Sequence, residues 1–225
     1  MPQPLKPMKT EKILALGVKG VIFDVDGTLL DSMDMWNNIT FEYAREKGVY
    51  CPPETSRMMN SMSMAQCAEY YINEMGVKGT VEQITAEIAE MSRERYRHTV
   101  PEVPGAAAFV KALHDKGVKI ALATASDMTA IRPALERLGM WPYVDFSITC
   151  QDIGVSKEKP DIFLRCVREF GLEVNECMVA EDALYAAKTA KKAGFRLLGV
   201  KDNCHAESDV EALQALSDIF VEDFT

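Results

Sequence analysis

Hydrophobic positions along the chain follow two different patterns. From about residue 105 onward, short apolar runs alternate with amphipathic stretches that have helical spacing. Helices are predicted over 105–115, 128–138, 161–170, 182–193 and 208–216. Between them lie strands at 118–123, 177–180 and 195–200, an apolar stretch at 144–148 and a final Ile219-Phe220-Val221. Strands alternating with helices of this length indicate βαβ units and a parallel sheet. One more strand is predicted at 19–24, far ahead of the others. The intervening stretch carries only helical patterns, at 33–47, 54–76 and 80–98, punctuated by Cys51-Pro52-Pro53, Gly76, Gly79 and Val103-Pro104-Gly105. An all-α segment over 33–100 is therefore expected to interrupt an α/β domain made of 1–32 and 101–225.

Composition narrows the function classes. With 225 residues, of which 48% are hydrophobic, the chain can bury a sizeable core. Acids outnumber bases 34 to 25, a net charge of −9, which argues against non-specific nucleic-acid binding. The six cysteines form no CxxC pair and read as scattered reduced thiols. No apolar run approaches the ~20 residues of a membrane span. Met1 to Thr10 carries lysines and prolines but no apolar signal core. The expectation is a cytoplasmic protein, monomeric or weakly homodimeric, without membrane or nucleic-acid partners.

The chemistry concentrates at the ends of the apolar runs. Gly20–Phe23 is followed by Asp24-Val25-Asp26-Gly27-Thr28. A strand interior has no use for two acids, but the carboxyl edge of an open α/β sheet is where ligands bind. Paired carboxylates also repel unless a cation or proton separates them. The run at 119–123 ends in Thr124-Ala125-Ser126, and that at 177–180 ends in Glu181-Asp182. Ser156-Lys157-Glu158-Lys159-Pro160-Asp161 follows the 144–148 stretch. In a parallel sheet these ends share one edge, so acids, a hydroxyl and a lysine would meet there. That set suits a metal ion and a phosphate.

In these four segments and their order, over about residues 19–200, the chain resembles the haloacid dehalogenase-like superfamily. The likeness is to the branch with a helical cap after the first strand, which includes phosphoglycolate phosphatases and beta-phosphoglucomutases. The resemblance implies a Rossmann-like, doubly wound parallel sheet with the 33–100 segment as cap. It further implies a hydrolase acting on a small phosphorylated metabolite. Asp24 would be the nucleophile forming an aspartyl phosphate, and Asp26 the general acid and base. Mg²⁺ would be held by Asp24, the Asp26 backbone carbonyl and Asp182, with Glu181 either a ligand or an outer acid. Thr124, the Ala125 amide and Lys157 would bind phosphate oxygens. A carboxylate ~4 Å from a dianionic phosphate meets repulsion of about 8 kcal/mol at an effective dielectric of 20, so a cation is needed there.

Some positions keep two readings. Lys159 rivals Lys157, although Lys157 has the family spacing to Pro160-Asp161. Thr124 taken alone could be an ordinary strand-end hydroxyl. The methionines at 33, 35, 58, 59, 62, 64 and 75 pack a core or form an apolar surface over the leaving group. Arg57, Arg93, Arg95 and Arg97 fit a solvated helix face better than a phosphate grip. His98, His114 and His205 match no motif and read as structural or surface residues. A phosphomutase like beta-phosphoglucomutase is the alternative function. In that group a histidine and an arginine occupy places that here hold Trp36 and Met64.

Overall fold

The computed structural model describes residues 8–59 and 62–225. Its elements run α1 (Met8–Ala15), β1 (Gly20–Phe23), α2 (Met33–Glu46), α3 (Pro53–Met59), α4 (Met64–Asn73), α5 (Val81–His98) and α6 (Ala106–His114). Then come β2 (Lys119–Thr124), α7 (Met128–Arg137), β3 (Phe146–Thr149), α8 (Cys150–Ile153), α9 (Asp161–Phe170) and β4 (Cys177–Glu181). The last are α10 (Leu184–Lys192), β5 (Arg196–Val200), α11 (Glu207–Leu216) and β6 (Ile219–Val221). They divide into two compact units, one holding the chain up to Asp31 together with Pro101–Thr225, the other Ser32–Val100.

In the first unit six strands form one parallel sheet in the order β3-β2-β1-β4-β5-β6. This is the Rossmann-like order, with the direction of winding reversing between β1 and β4. The inner strands read as continuous apolar runs because helices cover both faces. Ile22 packs with Ile162, Phe163 and Cys166 of α9 on one face. Its neighbour Phe23 points to the other face and meets Phe109 of α6 edge-on at 6.3 Å. Phe109 stacks in turn on Phe224 at 4.7 Å, fixing the end of the chain to the sheet.

The second unit is all helical and has its own core. Tyr43 and Tyr71 meet at 4.9 Å within a cluster that includes Ile39, Cys67, Ile84 and Ile88. The single helix expected over 54–76 is instead two, α3 and α4. The cause is local, since Ser63 and Gln66 form a capping box that starts a new helix. Asn60 and Ser61, within that predicted helix, lie outside the described residues, as does the side chain of Arg57. Thr80 and Gln83 cap α5 in the same way. Two further short helices were not expected. One is α1, whose Ile13 is buried and whose Lys9 donates to the carbonyls of Asp223 (2.8 Å) and Thr225 (2.7 Å). The other is α8, begun by a Thr149–Asp152 capping box.

Phe109 joins β1 to the C-terminal residues through ring contacts on both sides. Phe109→Ala is expected to cost about 3–5 kcal/mol in chemical denaturation. A loss below about 1 kcal/mol would show that this aromatic stack is not a core element.

Candidate active site

The parallel register places Phe23 opposite Ala180, so the next residues, Asp24 and Glu181, leave β1 and β4 side by side. The Asp24 amide donates to the Ala180 carbonyl (2.9 Å), prolonging the ladder to the carboxylate itself. Asp182 follows directly. One ligand oxygen from each of Asp24, Glu181 and Asp182 lies within 4.8 Å of the others, and all three residues are buried. The cluster sits at the carboxyl edge, where the winding reverses, which is the usual ligand position in such sheets.

Lys157, in the loop after α8, is the lysine brought to the acids. Its ammonium, 3% exposed, donates to Asp24 Oδ1 and to Glu181 Oε1 (2.7 Å). Lys159 and Glu158 are exposed. Asp26 lies on the turn after β1, where the Gly27 amide donates to the Leu30 carbonyl (2.8 Å). Its carboxylate accepts a hydrogen bond from Ser126 Oγ (2.5 Å). Thr124, buried at the end of β2, accepts from the Ser126 amide (3.0 Å), and Ala125 between them is exposed. Gly27 has φ +81°, and a Cβ there would lie 2.5 Å from Asp182 Oδ2 and 2.8 Å from Asp202 Oδ2. Only glycine fits that turn.

Of three further residues at this site, Thr28 lies in the first motif without an expected role, and His205 and Asp202 carry no recognised motif. Thr28 Oγ1 donates to Asp182 Oδ1 (3.0 Å), and His205 Nε2 lies 2.8 Å from Asp182 Oδ2. Asp202 is buried beside Gly27. His205 was expected to be structural or at the surface, and the structure instead sets it against Asp182. Topology is the signal that could have found it. β5 is the neighbour of β4, so the loop after β5 emerges on the same edge. His98 lies 3.4 Å from Glu94, and His114 lies 4.0 Å from Asp115 and packs on the Tyr143 ring at 5.2 Å. Arg93 and Arg95 pair with Glu90 (3.0 Å) and Glu42 (2.5 Å), and Arg97 pairs with Glu94. Trp36 and Met64 belong to the helical unit.

Burial dominates the electrostatics. It pushes the Asp24 carboxyl up to about 7, helped by Glu181 and Asp26 and opposed by Lys157. It also raises Glu181 and Asp182, opposed chiefly by Lys157 and by the His205 hydrogen bond respectively. Burial alone would lower Lys157, but the Asp24 and Glu181 carboxylates outweigh it and hold the ammonium charged. The hydrogen bond to Asp182 raises His205, against burial. Three buried carboxylates facing one ammonium are short of positive charge. Their clustered oxygens are the donor type that hard divalent cations prefer, so the residues fit such an ion.

The raised carboxyls set a pH dependence. Without a cation, the folded state keeps protons that the unfolded chain has lost. The stability this contributes is present below the ordinary carboxylate range and is lost as pH rises through about 7. In chelator, Tm is expected to fall between pH 5 and pH 8, and to fall less in Asp24→Asn, which lacks this titration. Equal slopes in thermal scans of the two proteins would contradict the buried-charge account.

The haloacid dehalogenase-like hydrolase family model matches residues 18–194. Hexitol phosphatase A of Escherichia coli (strain K12) is 27% identical over 184 residues, covering 81% of this chain and 82% of that protein. Fructose-1-phosphate phosphatase YqaB of the same organism is 25% identical over 182 residues, covering 81% and 96%. Among solved structures, a candidate beta-phosphoglucomutase from Thermotoga maritima superposes with TM-score 0.79 at 21% identity, covering 91% and 94% of the two chains. CbbY from Rhodobacter sphaeroides in complex with phosphate gives 0.72 at 18% identity, covering 92% and 95%. At those identities the structural likeness is one of fold. The family match spans most of the sheet unit and all of the helical one, and the chain belongs to the haloacid dehalogenase-like hydrolases.

Proposed function

We propose that the protein is a Mg²⁺-dependent phosphatase that hydrolyses a small phosphorylated metabolite through an aspartyl-phosphate intermediate. The observation that carries this reading is the meeting of Asp24, Glu181 and Asp182 around Lys157, beside Asp26. Named phosphatases among the relatives by sequence support it, including those for hexitol phosphate and fructose 1-phosphate.

An oxygen of Asp24 attacks phosphorus, and the bond from phosphorus to the ester oxygen breaks. Asp26 protonates the departing oxygen. It then takes a proton from the water that attacks the aspartyl phosphate, releasing inorganic phosphate and restoring Asp24. Ser126 steadies Asp26 through its short hydrogen bond. Lys157 holds Asp24 and neutralises charge on the phosphoryl group, and Thr124 with the Ala125 amide binds its oxygens. When bound by Asp24, Asp182, Glu181 and the Asp26 carbonyl, Mg²⁺ supplies the positive charge that lets two anions approach. The helical unit Ser32–Val100 acts as the cap that governs access of water and substrate. No observation favours the phosphomutase alternative. Trp36 donates its indole N–H to the Tyr96 hydroxyl (2.9 Å), and Met64 offers no charge for a second phosphate.

A panel of phosphorylated metabolites, assayed for phosphate release with and without Mg²⁺, tests the reading. The panel includes beta-glucose 1-phosphate with its bisphosphate. Asp24→Asn is expected to lower kcat by about 10³-fold or more while the circular dichroism spectrum stays native. Activity retained in that variant would exclude Asp24 as nucleophile. Asp182→Ala is expected to weaken Mg²⁺ binding about tenfold or more in calorimetry. Unchanged affinity there would remove Asp182 from the ligand set.

A further inference from the structure

The loop after β5 reaches back to the acidic cluster with two side chains. Asp202, just past the strand, is buried, and its Oδ1 accepts from the Cys204 amide (2.5 Å). An aspartate that accepts from an amide two residues on makes a tight turn in its own backbone. Its other oxygen lies 2.8 Å from where a Cβ on Gly27 would stand, so the loop packs against the turn after β1. His205 follows directly, and its Nε2 lies 2.8 Å from Asp182 Oδ2. All of these residues belong to the sheet unit.

Asp182 depends on such a partner. The torsion that turns a carboxylate about its Cβ–Cγ bond is broad, so rotamer preference does not fix the plane of the group. The next residue gives no help, since Ala183 precedes α10 without a side-chain hydrogen bond to the helix. Thr28 Oγ1 holds Oδ1 (3.0 Å) and His205 holds Oδ2, a grip on both oxygens. An ionised carboxylate only accepts hydrogen bonds, so the ring presents Nε2–H to it. The two oxygens together offer about four lone-pair sites, and two hydrogen bonds leave room for a cation. The grip therefore orients Asp182 without blocking it. Both ends of the contact are shielded from water, with Asp182 buried and His205 half-buried.

We propose that His205 is a positioning residue for Mg²⁺, which holds the Asp182 carboxylate in the orientation that ligates the ion. The proposal rests on the reading of Asp182 as a Mg²⁺ ligand given above. It adds a residue that acts through Asp182, brought by the one segment of this edge that carries no recognised motif. Partners that hydrogen-bond a ligating carboxylate typically account for 10- to 100-fold in metal affinity, roughly the size of effect expected here.

Mg²⁺ binding measured by calorimetry, without substrate, tests it in the native chain and in His205→Ala, His205→Gln and Asp182→Ala. Glutamine keeps an N–H donor on a side chain of similar reach. His205→Ala is expected to lower Mg²⁺ affinity about tenfold or more, and His205→Gln to restore most of that loss. Circular dichroism and thermal scans confirm that each variant is folded. If Asp182→Ala weakens binding and His205→Ala does not, the positioning role is overturned and the metal reading stands. If His205→Gln loses as much affinity as His205→Ala, the hydrogen bond is not the cause and the proposal is again overturned. If the native chain binds no Mg²⁺, or Asp182→Ala binds it as tightly as the native chain, the metal assignment itself falls and the proposal falls with it.

Discussion

Three carboxylates with one ammonium among them, closed off from water, are the constraint to which the sheet unit is built. Taking such a group out of solvent is unfavourable unless charges and hydrogen bonds compensate. The fold supplies compensation from every neighbouring segment. Lys157 comes from the loop after α8, Thr28 from the turn after β1, and His205 from the loop after β5. The β1–β4 register sets Asp24 level with Glu181, and the Gly27 turn clears the space that Asp182 needs. Deleting one partner leaves the others exposed to each other's repulsion, so these residues act as a set.

The two units solve different problems. The sheet unit holds rigid polar geometry on strand ends, backed by apolar faces on both sides. The helical unit has a core rich in tyrosine and sulfur, with hydroxyl tips paired to polar atoms. Tyr71 donates to the Thr40 carbonyl and Tyr43 to Glu87, each at 2.5 Å. Long unbranched methionines border a cavity of the helical unit, and such side chains fill irregular space that stiffer ones would leave empty.

The parts legible in the sequence were those with a strong local cause. Apolar runs ending in Asp24, Thr124 and Glu181-Asp182 mark strand ends, because an acid or hydroxyl cannot continue a strand buried on both faces. Periodicity locates strands but does not say which are neighbours. That Asp24 and Asp182 meet depends on β1 pairing with β4, a contact between distant parts of the chain. His205 was missed for the same reason, since its place is set by strand order and not by its flanking residues. The break between α3 and α4 was a local signal left unread, as Ser63 and Gln66 have the spacing of a helix start. α1 is short and mixed in character, and its burial comes from tertiary contacts.

The position of β1 has a mechanical consequence. This four-residue strand is hydrogen-bonded to β2 on one side and β4 on the other, so it has no free edge from which to fray. The Asp24 amide belongs to the same ladder. Backbone opening at Asp24 therefore requires the centre of the sheet to come apart. Amide protons from Val21 to Asp24 should share the slow exchange of global unfolding.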